Sequence, residues 1–130
     1  MKLLYLPLLA LLFLPLSPTD TVDTVAQLIG RGAVPELVKL FAAEVEIGLP
    51  GVEEDTQPKA AAAALLEKFF TQNKPTGTKI LHKINNGSSI QYGVVILTTA
   101  KGHYRVSFNL KNENGATQLI KLLIEPEKVK

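Results

Sequence analysis

This chain predicts an α+β domain, with N-terminal helices packed on one face of a strongly curved, cone-like antiparallel sheet. Three observations point there. The first half carries apolar residues at helical spacing; the last fifty residues alternate with period two; and turn signals, Asn86-Gly87, Lys101-Gly102 and Asn114-Gly115, separate the alternating runs. Helices followed by a meander of strands fit helices segregated to one side of a sheet. A length of 130 residues, with 46% hydrophobic and 20% charged residues, suits a single globular domain.

The opening MKLLYLPLLALLFLPLS has one basic residue and an apolar run from Leu3 to Leu16. That is the length of a signal-peptide core, short of the roughly 20 residues that span a bilayer. Pro7 and Pro15 also oppose an uninterrupted membrane helix. Residues 1–19 are therefore expected to be a signal peptide, with Ser17 and Thr19 as small residues before Asp20, and residues 20–130 to form the domain. The implied location is periplasmic or secreted, with an uncleaved N-terminal anchor as the competing reading. No later segment is apolar and long enough to cross a membrane.

DTVDTVAQLIGRG predicts a first helix, with Asp20 or Thr21 as N-cap, Val22, Val25, Leu28 and Ile29 as its stripe, and Gly30 and Gly32 at its end. AVPELVKLFAAE predicts a second, with Pro35 in its first turn and Val34, Leu37, Val38 and Phe41 on one side. EVEIGLPG then switches period, placing Val45, Ile47 and Leu49 opposite Glu44 and Glu46 in a short strand ended by Pro50-Gly51. GVEEDTQP reads as an exposed acidic loop. KAAAAALLEKFFTQN is a third helix of high intrinsic propensity, making its large contacts through Leu65, Leu66, Phe69 and Phe70. TKILHKIN, SSIQYGVVILTT, HYRVSFNLK and TQLIKLLIE complete it as a four-stranded meander.

The order helix, helix, "VEIGLPG", helix ending "FF", then meander resembles the nuclear-transport-factor-2-like cone fold. More closely, "LPG", "FFTQNKP", "ILHK", "YRVSF" and "LIKLLIE" resemble a family of small secreted bacterial domains, of the Bacteroidetes type, without assigned function. The resemblance covers nearly all of residues 20–130. It implies a curved sheet with helices over its concave side, and it brings no catalytic set with it. It also implies dimerisation through the sheet.

The oilier row of each strand is expected to face inward: Ile80, His82 and Ile84; Ile90, Tyr92, Val94 and Ile96; Tyr104, Val106, Phe108 and Leu110; Ile120, Leu122 and Ile124. A pocket on such a face is mostly apolar with a few placed polar groups. His82, Tyr92, Tyr104 and Phe70 are accordingly the candidate ligand-binding residues, weighed against simple core packing. The outer row Gln91, Gly93, Val95, Leu97 and Thr99, with Leu119 and Leu123, is unusually apolar for a wet face. Gln91, Val95, Leu97, Leu119 and Leu123 are therefore the candidate homodimer interface, since the polar tail EPEKVK is unsuited to cover them. Arg105 belongs with His103, Ser107 and Asn109 on the outside.

Composition excludes several functions. The absence of cysteine removes disulfides, thiolate metal sites, cysteine nucleophiles and a lipid-bearing cysteine. A net charge of +2, with lysines scattered, gives no block for nucleic acid. Glu53, Glu54 and Asp55 lack the spacing and glycine of a calcium loop. The two histidines fall on different strands and are expected on opposite faces, so no metal and no cofactor is predicted. Proton-transfer enzymes on this fold need a base beside a donor for the developing oxyanion. No Asp or Glu falls on the inward rows, which leaves His82 alone. The reading is an exported, non-enzymatic binding domain for a small apolar ligand or a protein partner. The alternatives are an interaction domain with a filled core, or an isomerase- or dehydratase-like enzyme.

Overall fold

The computed structural model describes residues 21–85 and 89–127. The expected signal peptide and the Asn86-Gly87 turn lie outside the described residues. The chain runs α1 (Thr21–Arg31), α2 (Val34–Leu40), β1 (Phe41–Leu49), β2 (Val52–Pro58), α3 (Lys59–Gln72), β3 (Pro75–Ile84), β4 (Ile90–Thr99), β5 (Gly102–Glu113) and β6 (Ala116–Pro126). The six strands form one sheet in the order β2-β1-β6-β5-β4-β3. All neighbours are antiparallel except β1 and β6, which run parallel.

Each helix buries one stripe against the same side of the sheet. On α1 it is Val22, Val25, Ala26, Leu28 and Ile29; on α3 it is Ala62, Leu66, Phe69 and Phe70. The second helix is shorter than its apolar spacing predicts. Phe41 already has extended geometry, φ −66° and ψ 139°, and opens β1 as a buried residue. An i, i+4 apolar pair such as Leu37 and Phe41 reads as helix in sequence. Burial of Phe41 against the core serves equally well from a strand.

β1 buries Val45, Ile47 and Leu49 as the period-two reading requires. The acidic segment after it is strand β2 rather than a loop. It pairs with β1 from Glu44↔Pro58 to Leu49↔Val52, at the edge of the sheet. Almost every residue of β2 is exposed, so no apolar alternation marks it as a strand; its backbone pairing to β1 does. Pro50 and Gly51 make the turn, and Gly51 has φ +81°, the left-handed value that the third position of a type II turn needs. The β5–β6 turn uses Asn114 (φ 55°) and Gly115 (φ 79°) between Glu113 and Ala116, a type I′ hairpin as Asn-Gly predicts.

The core joins both halves of the chain: Ile29, Leu37, Phe41, Ile47, Leu66, Leu97, Phe108, Leu110, Leu122 and Ile124 are all essentially inaccessible to water. Each such side chain contributes about 1.5–3 kcal/mol on burial. β5 sets the facing of its neighbours. Its inward residues Tyr104, Val106 and Phe108 sit opposite Leu97, Val95 and Gly93 of β4. On the other side Val106, Phe108 and Leu110 sit opposite Ile124, Leu122 and Leu119 of β6.

Candidate functional site

That register corrects the expected facing of three strands. Val95, Leu97 and Leu119, expected on an exposed interface, are core residues with no accessible surface. Ile90, Tyr92, Val94 and Ile96, expected inside, belong to the outer row of β4. Both rows of β4 are apolar, so alternation alone does not choose between them; pairing with β5 does. On β6 a bulge opposite Asn109 and Leu110 absorbs Ile120 and brings Leu119 into the core. On β3 a bulge between Ile80 and His82 leaves Ile80 opposite Val95 but turns His82 out opposite Val94. His82 is exposed there, not a desolvated base. Lys83 consequently faces α1 and reaches Asp23 at 3.2 Å.

The concave side is closely packed where β4, β5 and α1 meet. Phe108 lies directly over Gly93: a Cβ added there would stand 2.6 Å from Phe108 Cζ and 2.9 Å from Val22 Cγ1 of α1. Strand β4, the phenyl ring and α1 thus meet with room only for a hydrogen at position 93. Gln91, on the same row, has its Oε1 buried without a hydrogen-bond partner among the described residues.

Of the expected pocket residues, Tyr104 and Phe70 are on the inner side. Tyr104 stacks edge-on against Phe69, with ring centroids 5.1 Å apart at 82°. Its hydroxyl donates to Asn73 Oδ1 at 2.8 Å. Asn73 in turn donates through both its backbone N–H and its Nδ2 to the Phe69 carbonyl, at 2.8 and 3.0 Å. Phe70 meets Phe69 edge-on at 5.6 Å. These four residues form a satisfied cluster at the C-terminal end of α3. Tyr92 stands across the sheet, on the opposite face, and His82 is with it.

The outer face is the more informative surface. Register aligns Val94, Ser107, Leu123 and Gly48 as a row across four adjacent strands. Leu123 lies flat over Gly48, where a Cβ would come within 2.7 Å of its Cδ1. One flank carries Ile96, Arg105 and Glu125; the other carries Tyr92, Asn109, Lys121 and Glu46. Towards the β3 edge, Leu81, Ile84 and Ile90 are exposed apolar residues, 36%, 51% and 37% accessible. A shallow depression of about 350 Å³ is lined by Lys79, Leu81, Ile96, His103 and Glu127. His103 Nδ1 lies 3.1 Å from Thr98 Oγ1, and Arg105 Nε lies 3.5 Å from Glu127. Lys121 bridges Glu46 at 3.4 Å and Glu54 at 3.3 Å. Hydrogen bonds with Glu46 and with Lys121 hold the Glu54 carboxyl below its ordinary value. The Glu54 hydrogen bond and the two carboxylate charges hold the Lys121 ammonium above its own.

Among the described residues no group of three His, Asp or Glu side chains is placed to hold a metal ion, and no helix is long and apolar enough to cross a membrane.

Three helices against one strongly coiled six-stranded sheet, closed over a packed interior, define a nuclear-transport-factor-2-like α+β cone. Solved structures with that description align accordingly. A nuclear-transport-factor-2-like protein of unknown function from Silicibacter pomeroyi matches with TM-score 0.60 and 17% identity, over 82% of this chain and 89% of that one. The chain belongs to the family described as domain of unknown function DUF4783, which matches residues 22–125. Family members of known structure agree in fold. One from Bacteroides ovatus has TM-score 0.74 and 22% identity, covering 87% of this chain and 97% of its own. One from Bacteroides uniformis has TM-score 0.77 and 18% identity, covering 85% and 100%. No curated protein matches.

Proposed function

We propose that this is an exported, non-enzymatic interaction domain whose working surface is the outer face of the sheet, and that its first partner there is a second copy of itself. Export rests on the leader-like residues 1–19. The observation that carries the rest is the band of Leu81, Ile84, Ile90, Tyr92 and Ile96, on the side of the sheet opposite all three helices. Contiguous exposed apolar surface of this kind marks an interface. Its rim carries both signs of charge, Lys79 and Arg105 beside Glu125 and Glu127, which is compatible with a self-complementary two-fold contact. The tight packing of Phe108 against Gly93 and Val22 supports a surface-acting domain over an enzyme with a cone pocket.

Light scattering across the micromolar range tests this reading. The wild type is expected to be dimeric, and Ile96→Glu or Tyr92→Glu monomeric with an unchanged circular dichroism spectrum. A monomeric wild type throughout that range would overturn it.

A further inference from the structure

At the end of the molecule where β1 turns into β2, the turn Leu49–Val52 stands off from the last two turns of α3. Between them is a cleft of about 240 Å³, whose helical wall is Leu65, Lys68, Phe69 and Gln72. Leu49 and Phe69, both buried, form its floor. The rim is stiff on one side. Pro50 fixes its own φ, and Gly51 at +81° has open space where a Cβ would be. Val52 is 37% accessible, an apolar residue in an otherwise polar strand.

The polar groups of this cleft have one character. Lys68 and Gln72 are four apart on α3 and so share a face. Lys68 makes no ion pair among the described residues. The nearest acid in sequence, Glu67, lines a different groove with Val34 and Val38. Among the described residues no carboxylate lines the cleft. Of the last carbonyls of α3, that of Phe69 already accepts two N–H groups from Asn73, and the Lys68 ammonium sets positive charge against the negative helix end.

We propose that the cleft binds a small amphipathic carboxylate. Its short acyl or aryl body packs on Leu49, Leu65 and Phe69, and its carboxylate meets the Lys68 ammonium and the Gln72 amide. The volume lies below the roughly 300–1,000 Å³ of sites for drug-sized ligands, which selects a short chain. A cation would meet Lys68 with nothing to balance it. The cleft is separate from the outer sheet face, so this proposal does not depend on the dimer.

Titration of the full domain with sodium octanoate, followed by methyl and amide NMR, tests it, with octylammonium as the charge-reversed probe. Saturable shifts are expected at Leu49, Val52 and Leu65, with octylammonium binding more weakly. Lys68→Glu, at an exposed helical position, should weaken octanoate by at least about tenfold, the scale of one charge-assisted hydrogen bond, and reverse the preference between probes. Lys68→Gln should give an intermediate loss. The absence of saturable shifts at millimolar octanoate would overturn the proposal. So would octanoate binding that both Lys68 variants leave unchanged, or shifts confined to Tyr92 and Ile96 on the outer face.

Discussion

Tyr104 and Asn73, thirty-one positions apart, are joined by a 2.8 Å hydrogen bond that ties the start of β5 to the end of α3. Asn73 is 8% accessible, so its Oδ1 has little recourse to water if the phenol is removed. Tyr104→Phe is expected to cost about 1–2 kcal/mol, measured by chemical denaturation. In a double-mutant cycle with Asn73→Ala the two substitutions should couple, because each leaves the other's partner unmade. Strict additivity would show that the bond contributes nothing.

Gly93 is the most tightly enclosed glycine among the described residues. Gly93→Ala forces a methyl group against Phe108 and Val22 and is expected to destabilise by about 1–3 kcal/mol. Gly77→Ala, on β3 with nothing within 4 Å of the added Cβ, is the control and should change stability by less than about 0.5 kcal/mol. Adding Phe108→Leu to Gly93→Ala should recover part of the loss. Equal midpoints for the two alanine variants would contradict the contact.

The two rows of β5 separate stability from surface. Phe108→Ala is expected to cost about 3–5 kcal/mol, since the ring is wholly buried. Arg105→Ala removes a half-exposed pair with Glu127 at 3.5 Å and should cost no more than about 0.5 kcal/mol. Comparable denaturation midpoints would reverse the facing of the strand.

The charge cluster on β1, β2 and β6 predicts a dependence on pH. Glu54 titrates below its ordinary value of 4.5 in the folded chain. Its contribution is therefore present above that value and is lost as pH falls through the lower, folded one. Lys121 titrates above its ordinary value of 10.5, so its share is present below that pH and fades as pH rises further. Lys121→Met should lower the melting temperature slightly at pH 7, and the difference from wild type should vanish in strong acid. A difference that persists below pH 2 would assign the effect to packing of the lysine stem.

The helix stripes, the Asn-Gly turn of β5–β6 and the facing of β1 and β5 were legible in the sequence because each pairs one apolar row with one polar row. His103, Arg105, Ser107 and Asn109 leave β5 no choice of face. β4 was not legible: Tyr92, Val94 and Ile96 on one side and Val95 and Leu97 on the other are equally oily. That ambiguity reversed the expected interface. Single-residue bulges at Ile120 and after Ile80 reversed the rest, since an extra residue shifts the facing of everything beyond it. The correct phase of β4 was available indirectly, from Gly93: a glycine in a strand often marks a close approach, here that of Phe108. The Lys68 cleft had no sequence signal, because it is made by the distance between a turn and a helix that are separate in the chain.

The parallel pair inside the sheet also orders assembly in time. β1 spans residues 41–49, yet its inner neighbour is β6, through pairs such as Ile47↔Leu122. A nascent chain emerging N-terminus first offers β1 only the acidic hairpin partner β2. Its other edge waits until the last strand has been made. Bringing Ile47 and Leu122 together closes a loop of about seventy-five residues, an entropic cost that makes this pairing slow to form. A product truncated before Leu119 would leave the inner edges of β1 and β5 bare at once, each a template for pairing with another chain.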